Sequence, residues 1–327
     1  MPSRRQLLIA SAAATVPVRM ASRAAAQTLR KSAHVIVGFP AGGGTDMIAR
    51  IIADRLRGSY APSVLVENKP GAAARLAAEY VKNADPDGSV MLFTPDFPIT
   101  VYPHSFRSLN YDPVHDFAPV ATTTKSTLTY NVGPAVPENI KTLSDFVAWC
   151  KANPSKASYA TTAAGGTPHF VGMMLAAAAG VPMTPVHYRG GAPALQDLMG
   201  GHVPASVNPI SEVLAQARAG ALRVLAVTGS QRSAFLPDVP TMSEVGYDVV
   251  IDSWLGLLVP AKTPPATVNA LSSAVAAAVQ SPEMIESLAK LGNEPGFRGS
   301  ADFGATIAAD IARWGPVVKA SGFVAED

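Results

Sequence analysis

The apolar positions of this chain switch repeatedly between a strand-like and a helix-like spacing. The run His34-Val35-Ile36-Val37 is followed by Phe39-Pro40-Ala41-Gly42-Gly43-Gly44-Thr45-Asp46. Apolar residues then recur at Ile48, Ala49, Ile51, Ile52 and Leu56, the spacing of one helix face. A strand, a glycine turn and a helix start aim backbone N–H groups at one point, and a helix N-terminus favours negative charge. The turn therefore reads either as a small-anion site or as a tight turn in which Thr45 or Asp46 caps its own helix.

The same alternation continues. Strands are expected at 64–66 and 90–93 around a helix at 71–84, and a connector rich in proline and aromatic residues covers 98–119. Beyond it the pattern predicts strands at 128–132, 157–161, 183–187, 203–207 and 222–228. These are separated by helices at 142–153, 167–179, 191–200 and 210–219. A long apolar strand at 249–259 precedes three helices at 264–280, 282–291 and 300–320. This order predicts an α/β fold with parallel sheets covered by helices. Small-residue turns at 40–46, 161–168 and 188–193 follow strands, where ligands of open α/β sheets sit.

The N-terminus changes the charge picture. Ser3-Arg4-Arg5-Gln6-Leu7-Leu8, a short apolar stretch to about Val18 and Ala24-Ala25-Ala26 read as an export signal over 1–26, with Arg4-Arg5 suggesting the twin-arginine type. The apolar stretch is too short and too interrupted to span a bilayer. The whole chain carries 26 basic and 24 acidic side chains, and four arginines but no acid lie in 1–26. Removing them leaves 22 against 24, a mildly acidic mature chain with no electrostatic footprint for nucleic acid or anionic membrane. A mature length of about 300 residues exceeds one ordinary core, so two lobes are expected.

Searches for chemistry exclude more than they find. There is no P-loop, dinucleotide fingerprint, zinc spacing or Gly-x-Ser-x-Gly elbow, so no catalytic residue, metal or cofactor is assigned. The lone Cys150 permits no intrachain disulfide and reads as a core residue. Six histidines are dispersed. Of these, His169, after Thr167-Pro168 at a helix start, either faces a ligand or is a surface or capping side chain.

Taken together, the motifs resemble the Bug-type (TctC-like) periplasmic solute-binding proteins of tripartite tricarboxylate transporter systems, from about residue 33 to 325. The resemblance rests on Phe39 to Asp46, Val66-Glu67-Asn68-Lys69-Pro70-Gly71, Asp85-Pro86-Asp87-Gly88 and Tyr111 to Val120. It continues through Gly166-Thr167-Pro168-His169, Tyr188-Arg189-Gly190-Gly191-Ala192-Pro193, Leu225-Ala226-Val227-Thr228, Leu236 to Thr241 and Ser253-Trp254. It implies a two-lobed, Venus-flytrap (type II-like) periplasmic-binding-protein fold with two crossover strands. Lobe one would hold 33–122 plus 252–327, and lobe two 123–251.

The resemblance also implies a monomeric periplasmic receptor that binds a small carboxylate through backbone amides, hydroxyls and water and hands it to membrane permease subunits. A receptor that presents ligand to a sensor kinase has the same fold, and an exported hydrolase is the alternative of another class. The candidate ligand-binding set comprises Phe39, Ala41, Gly42, Gly43, Gly44, Thr45 and Asp46 on the first turn, with Asp96 and Phe97 after the third strand. Thr162, Thr167, His169, Tyr188, Arg189, Gly190, Ala192 and Asn208 complete it from the other lobe. For Thr162, Thr167 and Tyr188, capping and core packing compete with a hydroxyl role.

Two departures stand out. Gly71-Ala72-Ala73-Ala74-Arg75 replaces the family's Gly-Ala-Gly-Gly-Asn, leaving Arg75 either paired with an acid or solvated. Thr94-Pro95-Asp96-Phe97 replaces small polar residues. Asp96 near a cleft repels a carboxylate unless a donor or cationic group faces it, which points to a zwitterionic, amide-bearing or aromatic ligand on which Phe97 stacks.

Overall fold

The computed structural model describes residues 29–325; the export signal expected over 1–26 lies outside the described residues. Strand β1 (Ala33–Val37) leads through the glycine turn into α1 (Gly44–Leu56), followed by β2 (Val64–Asn68), α2 (Arg75–Lys82) and β3 (Val90–Pro95). Two one-turn helices, α3 (Phe97–Thr100) and α4 (Tyr102–Ser105), open the connector, and β4 (Phe117–Val132) closes it. Next come α5 (Leu143–Ala152), β5 (Ser158–Thr161), α6 (Thr167–Ala179), β6 (Thr184–His187) and α7 (Gly191–Met199). Then follow β7 (Ala205–Pro209), α8 (Ile210–Arg218) and β8 (Arg223–Val227). The chain finishes with β9 (Asp252–Pro260), α9 (Pro265–Val279), α10 (Pro282–Lys290), β10 (Glu294–Gly299) and α11 (Ser300–Ser321).

The strands run in the order β2-β1-β3-β9-β4-β7-β5-β6, with β10 and β8 also pairing with β4. The expected parallel pairing holds within β2-β1-β3 and within β7-β5-β6. The junction is antiparallel instead: β9 runs against both β3 and β4, and β4 against β7 and β8. Strand β4 is where the two halves meet. It pairs with β9 from Phe117↔Pro260 to Thr127↔Asp252, then with β7 from Leu128↔Pro209 onward. The returning chain crosses beside it. The Thr228 hydroxyl accepts from Leu128 N (3.1 Å) and donates to Ile251 O (2.7 Å), fixing both crossings to one side chain.

Three further expectations change. The helix expected from residue 71 begins at Arg75, because Ala72, Ala73 and Ala74 all have positive φ (45°, 53° and 73°). That region is strained for a residue with a Cβ. Arg75 donates to Ala72 O and lies 4.1 Å over the Phe106 ring. The first half of β4 overlaps the end of the expected connector and the stretch 120–127 for which the pattern predicts no element, because Pro119, Lys125 and a threonine run obscure it. β10 escaped because Glu294-Pro295-Gly296 resembles a turn. Both are strands because the neighbouring backbones satisfy their N–H and C=O groups.

Helix α1 buries Ile48, Ile52 and Leu56 against Val35 of β1 and Met284 and Leu288 of α10. In the other half, Tyr130, Phe146, Tyr159 and Phe170 form the centre of a second core, with Cys150 buried in it as expected. That core also receives Phe97, Tyr102, Trp314 and Val318 from α3, α4 and α11, so apolar packing joins the halves along one side. Among the described residues, no helix is long and apolar enough to cross a membrane.

Candidate ligand-binding cleft

A cavity lies where the parallel strands end. The turns after β1, β3, β5, β6 and β7 face a common cavity of about 730 Å³ including its mouth. The first turn contributes Phe39, Gly43, Gly44 and Thr45, and the third-strand turn contributes Asp96 and Phe97. From the opposite side come Thr162 and Thr167, then Arg189, Gly190 and Ala192. The three separate glycine-rich turns therefore meet.

Helix starts supply much of the wall. The caps of α1, α6 and α7 are Gly43, Gly166 and Gly190, and none has a side-chain cap bond. Of the two readings of this turn, the one in which Thr45 or Asp46 caps α1 is thus excluded. Asp46 accepts instead from Gly42 N (2.9 Å) and from Arg50 and Asn68, which fixes the loop before the helix. First-turn N–H groups without a local acceptor seek another partner, and the helix dipole makes an anion the favoured one.

Two carboxylates occupy this wall. Asp96 is 1% exposed, and its oxygens accept from Thr167 Oγ1 and Ser253 Oγ, each at 2.9 Å. Thr167 belongs to α6 and Asp96 follows β3, so this buried bond joins the two sides of the cavity wall. Burial pushes the Asp96 carboxyl up to about 6, with the two hydroxyls opposing that shift only in part. Glu212, in the first turn of α8, reaches Gly44 N at 3.4 Å and Asn208 Nδ2 at 2.9 Å. Burial raises its pKa, and those two donors pull in the other direction. Arg189 is the cationic side chain among the described lining residues.

Other expected ligand contacts lie outside the lining. Ala41 and Gly42 are exposed on the turn, and Asp46 is buried behind it. His169 is buried, its Nδ1 accepting from Gly165 N (3.1 Å). Burial, reinforced by His187, lowers its pKa to about 3, so it stays neutral, and its ring packs on His187 and Phe323. Tyr188 donates to Asp197 (2.7 Å) and packs beside a core cluster, and fully buried Asn208 stands behind Glu212. Phe97 meets Phe39 edge to face at 5.8 Å between centroids, so two rings wall the apolar side.

Sequence reasoning missed Glu212, Ser126 and Ser253. A Glu in the first helical turn ordinarily complements its own dipole, so nothing local marks Glu212. Ser126 lines the cavity with a buried hydroxyl that has no hydrogen-bond partner. Ser253 was visible within the Ser253-Trp254 motif but carried no assigned role.

The fold and cleft define a two-lobed solute-binding protein of the periplasmic type. The model of the tripartite tricarboxylate transporter family receptor (TctC) matches residues 48–323, and the chain belongs to that family. Protein BugT of Bordetella pertussis is 31% identical over 291 residues, covering 88% of this chain and 89% of that protein. Among solved structures, R. palustris Rpa4515 with adipate has 31% identity and a TM-score of 0.86, covering 90% of this chain and 98% of that one. MatC from Rhodopseudomonas palustris with bound malate has 28% identity and a TM-score of 0.82, covering 88% and 99%.

Proposed function

We propose that this chain is a periplasmic receptor that traps a small organic acid between two lobes and delivers it to the membrane subunits of a tripartite tricarboxylate-type transporter. Residues 33–122 with 252–327 form one lobe and 123–251 the other, hinged where β4 exchanges partners at Thr127 and Leu128. The observation carrying this reading is the convergence of three uncapped helix starts, from both sides, on one cavity. Amide N–H groups satisfy a carboxylate that leaves water without adding mobile charge. The adipate and malate held by similar proteins support an acidic ligand.

Asp96 narrows the class. A ligand that presents an ammonium or amide donor toward Asp96 and its acid toward the helix starts satisfies both ends, with Phe39 and Phe97 against its apolar part. Contacts to both lobes stabilise the closed form by the ligand's differential affinity for it. Titration with amino acids, their amides, aromatic acids, adipate and malate tests the reading by thermal melting and solution scattering. A ligand at 100 times its Kd adds about 2.7 kcal/mol of stability and compacts the protein. If none of these acids moves the melting temperature, the receptor reading fails. If adipate alone binds tightly, the donor requirement fails.

A further inference from the structure

Glu212 sits where an acidic ligand group is expected. Its carboxylate reaches the Gly44 amide at the uncapped start of α1, across the cavity from its own helix. Its other oxygen lies against Gly191, in the first turn of α7, so closely that a Cβ there would collide with the carboxylate. Gly44 is approached as tightly. A Cβ on it would stand 2.7 Å from Ser211 Oγ and 3.1 Å from Glu212 Cγ. One carboxylate thus lies between two uncapped helix starts from different sides of the cleft, and its recorded partners, Gly44 N and Asn208 Nδ2, are both uncharged. The remaining cavity is lined mostly by apolar surface. Ser126 Oγ, on a residue 8% exposed, stands at its lining without a hydrogen-bond partner.

We propose that Glu212 is an internal carboxylate that occupies the anion notch between α1 and α7 and competes for it with the acidic group of the ligand. In the ligand-free protein it accepts from the Gly44 amide, packs against Gly191 and holds the two sides together. A ligand carboxylate gains the notch by displacing it, so Glu212 sets a threshold that weak, singly attached acids do not pass. The remaining contacts, to Ser126, Asp96 and the Phe39–Phe97 wall, select the acids able to displace it.

This inference rests on reading the cleft as an anion-binding site, but its test needs no knowledge of the natural ligand. Removing a carboxylate leaves a notch that free acetate fits. In the full-length mature protein without ligand, Glu212→Ala is expected to speed amide exchange in 40–47 and 188–194 about tenfold, since local opening tracks the lost contact. Acetate in excess of its Kd is expected to restore exchange to within about twofold of the wild type, whose own exchange acetate leaves unchanged. Glu212→Gln keeps the side-chain shape and is expected to fold as the wild type, with roughly threefold faster exchange because the charge contribution at the helix starts is lost. The same Gln variant is expected to bind adipate about tenfold tighter than the wild type, the competitor having been weakened. Unchanged exchange in both variants, no acetate rescue of Glu212→Ala, or weaker adipate binding by Glu212→Gln overturns the proposal. Acetate rescue in a protein whose wild type binds none of the tested acids would leave this inference standing and sink the receptor reading instead.

Discussion

The helices of this molecule begin in two different ways. Helices α5 and α10, away from the cavity, are closed by their own side chains. Thr142 and Asp145 form a reciprocal capping box on α5, and Ser281 accepts from Met284 N on α10. Helices α1, α6 and α7 begin on glycines with no such bond, and their starts face the cavity. Lack of a cap is not by itself a signature, since α9 and α11 also lack one. Convergence distinguishes the cleft: three helix starts without side-chain caps face one cavity. The capped starts satisfy their amides within one turn, and the uncapped starts forgo that local stabilisation, which the proposed ligand would replace.

The largest way to break this contrast uses Asp96, which spans the cleft at the start of α6. Its carboxyl titrates near 6 in the folded protein against 3.8 in its unperturbed state. The folded state therefore binds the extra proton between those values, and the stabilisation it gives is complete below about 4 and lost as pH rises through 6. Subtracting the pH profile of Asp96→Asn from the wild type in urea unfolding should isolate a loss of about 3 kcal/mol between pH 4 and 7. Parallel profiles for the two proteins would show that Asp96 is not the buried acid described above.

A smaller effect should come from Gly44→Ala. The added methyl enters the contact with Ser211 and Glu212 and props the cleft apart, weakening ligand binding by about 2 kcal/mol, with little change in unfolding free energy. Calorimetry that finds the affinity intact would separate the α1 start from the binding surface. Thr142→Ala should do the reverse: it costs about 1 kcal/mol of stability and leaves affinity alone. The smallest change is expected for Ser126→Ala. Losing an unpartnered buried hydroxyl should shift stability by less than about 0.5 kcal/mol, while ligand affinity falls by about 1 kcal/mol. An affinity unchanged in this variant would remove Ser126 from the site.

The reading of the sequence succeeded where structure is local. The β1–α1 unit was legible because an apolar run, a glycine turn and a 3.6-residue spacing occur within about 25 residues. Most later helices fall within a residue or two of expectation for the same reason. Failures occur where distant chain decides. Ala72 to Ala74 have the composition of a helix, yet the packing of Ala74 against Gly38 and the bond from Tyr102 Oη to Ala73 O accompany a left-handed backbone. The threonine-rich half of β4 lacks alternation because β9 and β10 flank it on both sides. His169 and Tyr188 looked available in sequence, but Gly165 N and Asp197 claim their polar atoms.

What the sequence determined by itself was the set of glycine-rich helix starts, together with the strand–turn–helix order that places them at strand ends. Only the tertiary structure decided that these starts face one another and that Glu212, 168 residues from Gly44, lies between them. The reason is physical. A cap depends on residues within one turn of helix, whereas the meeting of two helix starts depends on where the antiparallel β4–β9 ribbon carries the chain across and back.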